Sequence, residues 1–476
     1  MNRLATPSRN LWILGSIGAL LYAVVAGLFW SDAAYNSSST VRTVLSGIIG
    51  ILTVGYFLGI QHVSKVSIRT VVFFGVLFAI IGFLSGPVDS TDLYFYMAQG
   101  WGQSHYGTNP YINVLRDIPD SANDPLIRSR WMTLNRNPWL DEPMPYGFAF
   151  ASLTRAVAWL GRGNWWLTFF LFNGMNVLFH AAVAFLLWKT AAHIPGVDGK
   201  HVLYLYMWSP LVVLQFLTDA HNDLIMAAFI LLAFYLLIKG RTIWTMPCMV
   251  VGGLIKHLAL ALIPFVFCLT WRRHGWKAAV SSVLASIPVL MLFSSLYVTD
   301  FNNFKVSEVF AQVAERTGSL QAFLHFGYRA ITSFGQTVPV DLGAFSSVAN
   351  VSLWAIVGIY SAYRLTHAWD GSEDDPVSVA TRWTSVMFMI IFVASSQFYP
   401  WYIGMLFPLA LVGSGTSLLT EIIVLLSGTH MAFGFLRSKA IGYFLLSTLV
   451  PIAILIWHRR TGPLNGKAAD LLHAGK

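Results

Sequence analysis

Residues 11–30 read LWILGSIGALLYAVVAGLFW, an apolar run without a charged side chain. A hydrocarbon core about 30 Å thick needs about 20 such residues per helix, so this stretch has the length of one membrane span. The preceding MNRLATPSRN resembles the start of a signal peptide, but the apolar run is too long and no small-residue cleavage site follows it. We therefore expect a retained first transmembrane helix.

The same apolar character extends along all 476 residues. The mean hydropathy is +0.62, and 56% of the residues are hydrophobic while only 11% are charged. A soluble domain carries about 25% charged residues. Lipid satisfies no backbone hydrogen bonds and the apolar runs are continuous, so helices must span the bilayer. The sequence predicts an all-α polytopic membrane protein without a separate soluble domain.

Apolar runs of spanning character recur to near the end of the chain. They cover residues 11–30, 43–60, 70–86, 166–188, 202–217, 222–238, 242–255, 257–271, 278–298, 346–363, 381–397, 401–414, 416–436 and 440–457. Residues 148–162 are amphipathic and carry Arg155 and Arg162, so we place them at the interface. We expect one domain over residues 1–476, a bundle of about 11–14 transmembrane helices.

Basic residues predict the orientation of this bundle. Most fall on one side if the spans alternate: Arg3, Arg9, Lys65, Arg69, Lys189, Lys200, Lys239, Arg241, Arg272, Arg273, Lys277, Arg459 and Arg460. By the positive-inside rule that side is cytoplasmic, so both termini are predicted inside the cell membrane. Arg437 and Lys439 are exceptions on the outer side and are candidate functional residues. The net charge of +9 thus reflects topology, not nucleic-acid binding.

Two long loops are then expected to face outward. The first outer region, residues 87–165, holds the loop 87–145 and the interfacial stretch, and the second loop covers residues 299–345. Loops this long are usually functional or disordered. The first is rich in Trp, Tyr and Pro, which argues against disorder. We expect short amphipathic helices and part of a site in the first region.

Two carboxylates follow the third apolar run in GPVDSTDLYFY, residues 86–96. Asp89 or Asp92 can act as a general base, because partial burial raises a carboxyl pKa toward the working range and the membrane rim gives access to a lipid headgroup. The alternative is that one of them only caps the helix that follows, since Asp is a favoured N-cap residue. The residues alone leave both interpretations open.

A second polar cluster lies in LTDAHNDLIM, residues 217–226. Asp219, His221, Asn222 and Asp223 form a tight turn between two apolar runs. A turn needs only one or two such residues, and four polar groups at a membrane surface are costly unless they are used. Function and turn formation are equally supported here.

Two further motifs interrupt apolar runs. In GGLIKHLALALIP, residues 252–264, Lys256 and His257 lie at the expected outer face, where a cation can stabilise a phosphate leaving group. Alternatively, Lys256 only extends to the headgroups. In SSQFYPWYIGML, residues 395–406, Trp401 and Tyr402 follow a proline. Such aromatic residues anchor proteins at the interface, and they also bind sugars and polyprenyl chains.

These clusters converge on one face of the membrane. With the topology taken from basic residues alone, the following fall near the outer face: Asp89, Asp92, Asp219, His221, Asp223, Lys256 and Tyr402. Unrelated structural roles would have scattered them. The convergence depends on residues 148–162 not spanning the bilayer, because a crossing there would reverse every later loop.

The motifs resemble the GT-C glycosyltransferases that use polyprenyl-phosphate sugars, in particular the bacterial polyprenol-phosphomannose-dependent alpha-1,6-mannosyltransferases. The resembling pieces, in the family's order, are DLYFYMAQGWGQSHYGTNPY at 92–111, PYG at 145–147, HND at 221–223, IK at 255–256 and PWY at 400–402. The resemblance implies transfer of a sugar, mannose in this family, to a glycan or glycolipid acceptor on the extracytoplasmic face, with inversion.

The resemblance also implies roles for residues. Asp92, or Asp89 as the other candidate, would accept the proton of the acceptor hydroxyl while the anomeric carbon is displaced from the lipid phosphate. Lys256, with Arg437 or Lys439, would neutralise the departing polyprenyl phosphate. The predicted substrate-binding residues are Tyr96, Asn109, Tyr111, Tyr146, His221, Asn222, Asp223, Lys256, His257, Trp401 and Tyr402.

No cofactor is expected, and the polyprenyl-phosphate sugar would be the donor substrate. The sequence has no Gly-rich phosphate loop of P-loop or Rossmann type. A divalent cation at Asp89 and Asp92 stays an open alternative that the sequence does not favour, because His-rich ligand spacing is absent.

Two other functions fit a polytopic chain. A secondary transporter places polar residues near the bilayer midplane in matched halves. It would have to use Asn173, Asn176, His180 and Glu421, for which packing within the bundle is the competing role. A lipid-linked glycan ligase or a flippase would share the sugar-lipid substrate, but a ligase would move a whole glycan from a diphosphate lipid and a flippase would leave the bond intact.

Overall fold

Helices make up the regular structure of this chain. A computed structural model describes residues 6–31, 39–118, 123–128, 140–298, 316–333, 341–371, 374–413, 417–437 and 439–461. Within these ranges there is no β-strand, only an isolated bridge between Thr317 and Gln397. The predicted all-α fold is confirmed. Much of the predicted second loop, residues 299–315 and 334–340, and residues 119–122 and 129–139 of the first lie outside the described ranges.

Seven of the described helices are long and apolar enough to cross a membrane. They are Arg9–Trp30, Thr40–Ile60, Trp165–Ala191, Trp276–Ser295, Leu342–Asp370, Pro376–Ala394 and Ala440–Thr461. Gly199–Met207 and Val212–Thr218 form an eighth candidate, bent by 60°. The polytopic prediction is confirmed. The predicted 11–14 spans would also require shorter apolar helices to cross, drawn from Ile68–Leu84, Asp223–Ile238, Thr242–Ile255, Pro400–Val412 and Leu418–Ala432.

The predicted basic loops meet at one end of the bundle. Lys200 Nζ donates to the carbonyl oxygens of Ser64 and Val66 at 3.0 and 3.1 Å. Lys239 Nζ lies 3.1 Å from His193 Nε2. At the same end Arg272 pairs with Asp374, and Arg459 pairs with Glu421. The loops of the predicted outer face meet at the other end, as the site contacts below show. Which end faces the cytoplasm stays a prediction.

The helix Phe148–Gly161 packs along the helix Asp92–His105 at the end opposite the basic loops. A Cβ atom on Gly100 would lie 2.3 Å from the Thr154 carbonyl oxygen, so the two backbones touch. The amide of Gly147 donates to Ile255 O at 3.2 Å. Fourteen residues extend only about 21 Å. The interfacial position of this helix stays a prediction.

Two π-helical segments lead directly into the candidate site. Val212–Thr218 ends before the turn that holds His221, and Met389–Ala394 ends before the segment with Tyr399 and Trp401. A π segment adds a residue to a helical turn and is frequent at functional sites. The two polar segments that follow meet at the same end of the bundle, where His221 stacks on Trp401.

Candidate active site

The carboxylate of Asp92 accepts hydrogen bonds from two tyrosine hydroxyls. It is the first residue of the helix Asp92–His105, and Tyr96 follows one turn later on the same face. The hydroxyl of Tyr96 donates to Asp92 Oδ2 at 3.3 Å, and that of Tyr146 does so at 3.5 Å. The two hydroxyls lie 3.2 Å apart. The Asp92 side chain is only 14% exposed, so these hydroxyls hold the carboxylate in one orientation.

His221 completes the surroundings of this carboxylate. Its Nδ1 atom lies 3.3 Å from Asp92 Oδ2. The imidazole is fully buried and stacks on Trp401 with ring centroids 4.1 Å apart. Trp401 stacks in turn on Tyr399 at 4.3 Å. Trp401 of the PWY motif and the preceding Tyr399 thus hold the histidine that faces Asp92.

These neighbours change the acidity expected of Asp92. Burial by itself would raise the pKa of Asp92, but the contact with His221, the hydroxyl of Ser90 and the charge of Lys256 together lower it below its usual range. The expectation that partial burial raises the pKa is therefore wrong for Asp92. The carboxylate is ionised at neutral pH, as a general base must be before it accepts a proton.

Lys256 is paired within the protein. Its Nζ atom donates to Asp223 Oδ1 at 2.6 Å and lies 4.7 Å from the Tyr402 ring centroid and 5.8 Å from that of Tyr146. Lys256 ends the helix Thr245–Ile255 in an extended conformation, whereas Asp223 begins the helix Asp223–Ile238. Because Asp223 compensates its charge, Lys256 is a weaker candidate for binding a phosphate than the sequence predicted.

Several buried polar atoms beside this pair lack a hydrogen-bond partner among the described residues. They are both side-chain heteroatoms of Asn222, the Oδ2 atom of Asp223 and both ring nitrogens of His221, of which Nδ1 lies 3.3 Å from Asp92 Oδ2. These three residues are at most 1% exposed. Buried polar groups in native proteins are almost always satisfied by protein, water or ligand. The HND segment therefore presents hydrogen-bonding groups that suit the hydroxyls of a sugar.

Asp89 faces different partners from Asp92. One of its oxygens pairs with the guanidinium group of Arg437, and the other accepts from Gln215 Nε2 at 3.4 Å. The two candidate bases therefore have different partners, Arg437 and Gln215 for Asp89 and His221 with two tyrosines for Asp92. Among the described residues, no group of three or more His, Cys, Asp or Glu side chains could hold a metal ion.

A basic cavity of about 970 Å³ opens beside Asp89. Four basic residues line it: Arg316, Arg329, Arg437 and Lys439. Apolar residues form part of its wall: Phe326, Ala330, Ala440 and Ile441. Sequence analysis singled out Arg437 and Lys439 from their unusual side of the membrane but missed Arg316 and Arg329, which no motif marks.

The remaining predicted residues support or border the site. Asn109 donates to Tyr297 O at 2.8 Å and accepts from the Tyr111 amide at 3.0 Å, so its side chain holds the loop. Tyr111 donates to Tyr146 O at 2.8 Å and thereby supports a residue that touches Asp92. His257 is half-buried and begins the short helix His257–Leu262 directly after Lys256.

Comparison with known proteins adds to this geometry. Residues 12–272, more than half of the chain, match the family described as "Alpha-(1->6)-mannopyranosyltransferase, N-terminal domain". Over 222 residues the chain is 25% identical to Alpha-(1->6)-mannopyranosyltransferase A of Mycobacterium tuberculosis. That alignment covers 45% of this chain and only 40% of the length of that relative. The family match includes Asp89, Asp92, the HND segment and Lys256, whereas Trp401 and Arg437 follow it.

Proposed function

Because the chain belongs to the alpha-(1->6)-mannopyranosyltransferase family, we propose that it is a membrane enzyme that transfers mannose from a polyprenyl-phosphate donor to a glycan or glycolipid acceptor. Family membership confirms the resemblance seen in the motifs. The observation that best supports catalysis is the ionised Asp92, held by Tyr96, Tyr146 and His221 beside the unpartnered groups of Asn222 and Asp223.

In the proposed reaction, Asp92 accepts the proton of an acceptor hydroxyl as that oxygen attacks the anomeric carbon of mannose. The bond from this carbon to the phosphate oxygen breaks, and the lipid phosphate leaves with the electron pair. A single displacement inverts the anomeric configuration. Positioned proton transfer of this kind contributes about 10²–10⁴-fold to a rate. His221, Asn222 and Asp223 bind sugar hydroxyls, and no step requires a nucleotide or a metal ion.

We place the donor phosphate in the basic cavity. Four cationic side chains against the one carboxylate of Asp89 favour a phosphate there, whereas Lys256 is already paired with Asp223. The apolar wall formed by Phe326, Ala330, Ala440 and Ile441 suits the first isoprene units. In this arrangement Asp89 holds Arg437 toward the phosphate, and Asp92 is the base.

The proposed site lies on the extracytoplasmic face of the cell membrane. It is at the bundle end opposite Lys65, Lys200, Lys239 and Arg272, and the positive-inside rule places that basic end in the cytoplasm. The polar groups occupy one end instead of matched positions at the midplane, so no observation favours a transporter.

The first test is transfer from labelled polyprenyl-phosphate mannose to a panel of mannosides by the purified, reconstituted protein. We expect Asp92→Asn to lose about 10²–10⁴-fold in kcat. Asp89→Asn should mainly raise the KM for the donor, because Arg437 loses its partner. Asp117→Asn, an exposed carboxylate of the same outer region, is the matched control. Full activity of Asp92→Asn, or a product with retained configuration, would refute this mechanism.

The phosphate cavity has its own test. Arg437→Gln should raise the KM for the lipid donor about tenfold or more, since a charge-assisted contact to phosphate is worth about 1.5–3 kcal/mol. Arg459→Gln is the control, because Arg459 pairs with Glu421 at the opposite end of the bundle. A diphosphate-linked glycan tested as donor separates a ligase from the proposed transferase.

A further inference from the structure

A buried carboxylate joins the two segments that carry the candidate catalytic residues. Oδ1 of Asp219 accepts the backbone amides of Val88 at 2.8 Å and Asp89 at 3.3 Å. Asp219 is fully buried, in the turn before the helix Asp223–Ile238. One oxygen atom therefore links the loop before Asp92 to the turn that holds His221.

Two asparagines strengthen this link from a third element. Both lie on the helix Trp165–Ala191, three residues apart and on one face. The amide of Asn173 donates to Ser85 O at 3.2 Å, and that of Asn176 donates to Ala220 O at 3.3 Å. Both side chains are at most 1% exposed. The helix thus holds the start of the Asp92 loop and the His221 turn on the same surface.

The turn itself needs support from its surroundings. Ala220 has φ +57°, in the left-handed region that residues other than glycine rarely adopt. Such a conformation persists only where neighbouring contacts determine it, and it is concentrated at functional sites. Asn176 Nδ2 donates to the Ala220 carbonyl oxygen, and the amides of Asp219 and His221 on either side donate to Leu214 O and Gln215 O. These bonds hold the turn, and Asp219 Oδ1 joins it to the loop before Asp92.

We infer that Asp219 is a positioning residue, whose Oδ1 atom fixes the Asp92 loop against the His221 turn so that the two side chains meet. Asp92 and His221 lie on different segments, 3.3 Å apart, and a displacement of about 1 Å can cost about 100-fold in rate. This inference rests on the proposed function for its kinetic readout, but the two backbone bonds can be measured without it.

The link needs an acceptor oxygen more than a negative charge. Oδ2 of Asp219 has no hydrogen-bond partner among the described residues. Burial and the neighbouring Asp89 carboxylate raise the pKa of Asp219 to about 7, while His221 and the two backbone amides act in the opposite direction. An asparagine keeps an oxygen in place of Oδ1 and should substitute, whereas an alanine leaves both amides unpaired.

The test compares Asp219→Asn and Asp219→Ala with wild type by kinetics and by hydrogen–deuterium exchange of residues 85–92. We expect Asp219→Ala to lose about 100-fold in kcat, with the KM for the lipid donor changed less than threefold, and to speed exchange at Val88 and Asp89 about tenfold or more. Asp219→Asn should stay within about threefold of wild type in kcat and in exchange. Ser209→Ala is the control, because it removes a buried hydroxyl that has no hydrogen-bond partner among the described residues.

Each outcome bears on the inference. Wild-type exchange and kcat in Asp219→Ala would overturn it, and so would an Asp219→Asn variant as impaired as Asp219→Ala. If Asp219→Ala does not fold, wild-type exchange decides, because amides of Val88 and Asp89 that exchange at the rate of an unstructured peptide would also overturn it. Absence of mannosyl transfer in wild type refutes the proposed function instead, and the exchange data still test the link.

Discussion

The contact between Asp92 and His221 decides when the proposed base is ionised. Burial favours the protonated acid, and His221 is the largest opposing influence. The pKa of Asp92 therefore lies below the ordinary range of an aspartate. The activity of wild type should not be lost through protonation of Asp92 between pH 5 and 7.

Replacement of His221 tests this balance. In His221→Gln the main group that lowers the pKa of Asp92 is gone, so burial raises that pKa. We expect the acid limb of the kcat/KM profile to move to higher pH than in wild type, measured with labelled donor across pH 4–8. A limb that stays in place, or moves to lower pH, would contradict the coupling.

The pair of Lys256 and Asp223 makes a prediction about stability. Lys256→Met leaves the Asp223 carboxylate buried and unpaired, since that side chain is 1% exposed. Breaking a buried pair in this way lowers the free energy of unfolding by about 3–5 kcal/mol. The double variant Lys256→Met, Asp223→Leu should recover most of this loss, measured by unfolding in detergent.

The control for that cycle is the pair of Arg116 and Asp141. These side chains are 53% and 52% exposed, and exposed pairs contribute little. Arg116→Gln should therefore leave unfolding nearly unchanged. Additive effects of the Lys256 and Asp223 substitutions would argue against a coupled pair.

At the scale of elements, close approach of backbones places Tyr146 in the site. The amide of Gly147 donates to Ile255 O at 3.2 Å. A Cβ on Gly147 would lie 2.3 Å from Leu254 O, although φ is an ordinary −75°. Glycine is required here by lack of space, not by an unusual backbone angle. The contact brings Tyr146 next to Lys256 and Asp92.

Gly147→Ala should separate these elements. We expect a loss of about 1–3 kcal/mol in the free energy of unfolding, as for other overpacked sites, and a fall in kcat because Tyr146 moves from Asp92. Gly50→Ala is the control, since a Cβ there meets no atom within 4 Å. It should gain up to about 1 kcal/mol with activity unchanged. Equal behaviour of the two variants would show that the contact does not position Tyr146.

At the scale of the molecule, the bundle separates a basic end from the end that holds the proposed active site. The pairs Lys239–His193 and Arg272–Asp374 mark the first, and Asp92, His221 and Lys256 mark the second. Because the two ends lie on opposite sides of the bundle, finding which side of the membrane one end faces also determines the side that the other end faces.

Cysteine labelling tests the orientation. Asp117→Cys and Ala192→Cys are introduced separately into a chain whose native Cys248 and Cys268 are replaced by alanine. Both positions are exposed, the first in the outer region and the second in a basic loop. A membrane-impermeant maleimide should label Asp117→Cys in intact spheroplasts and Ala192→Cys only after permeabilisation. The opposite pattern would place the site in the cytoplasm.

The sequence by itself determined the class of the protein and singled out the polar residues of the candidate site. Continuous apolar runs specify spanning helices because lipid satisfies no backbone hydrogen bond. Charge distribution predicted the two ends of the bundle, and polar residues such as Asp92, the HND segment and Lys256 were conspicuous because polar groups are costly at a membrane. These signals are local and can be read from a single stretch of chain.

Only the tertiary structure decided the partners of these residues. It paired Lys256 with Asp223 and Asp89 with Arg437, and it brought Arg316 and Arg329 to a cavity beside Asp89. It also gave different partners to Asp89 and Asp92, two carboxylates only three residues apart in the sequence. The physical reason is that such pairs depend on how distant helices pack, whereas hydropathy reports only the energy of transferring each segment into lipid.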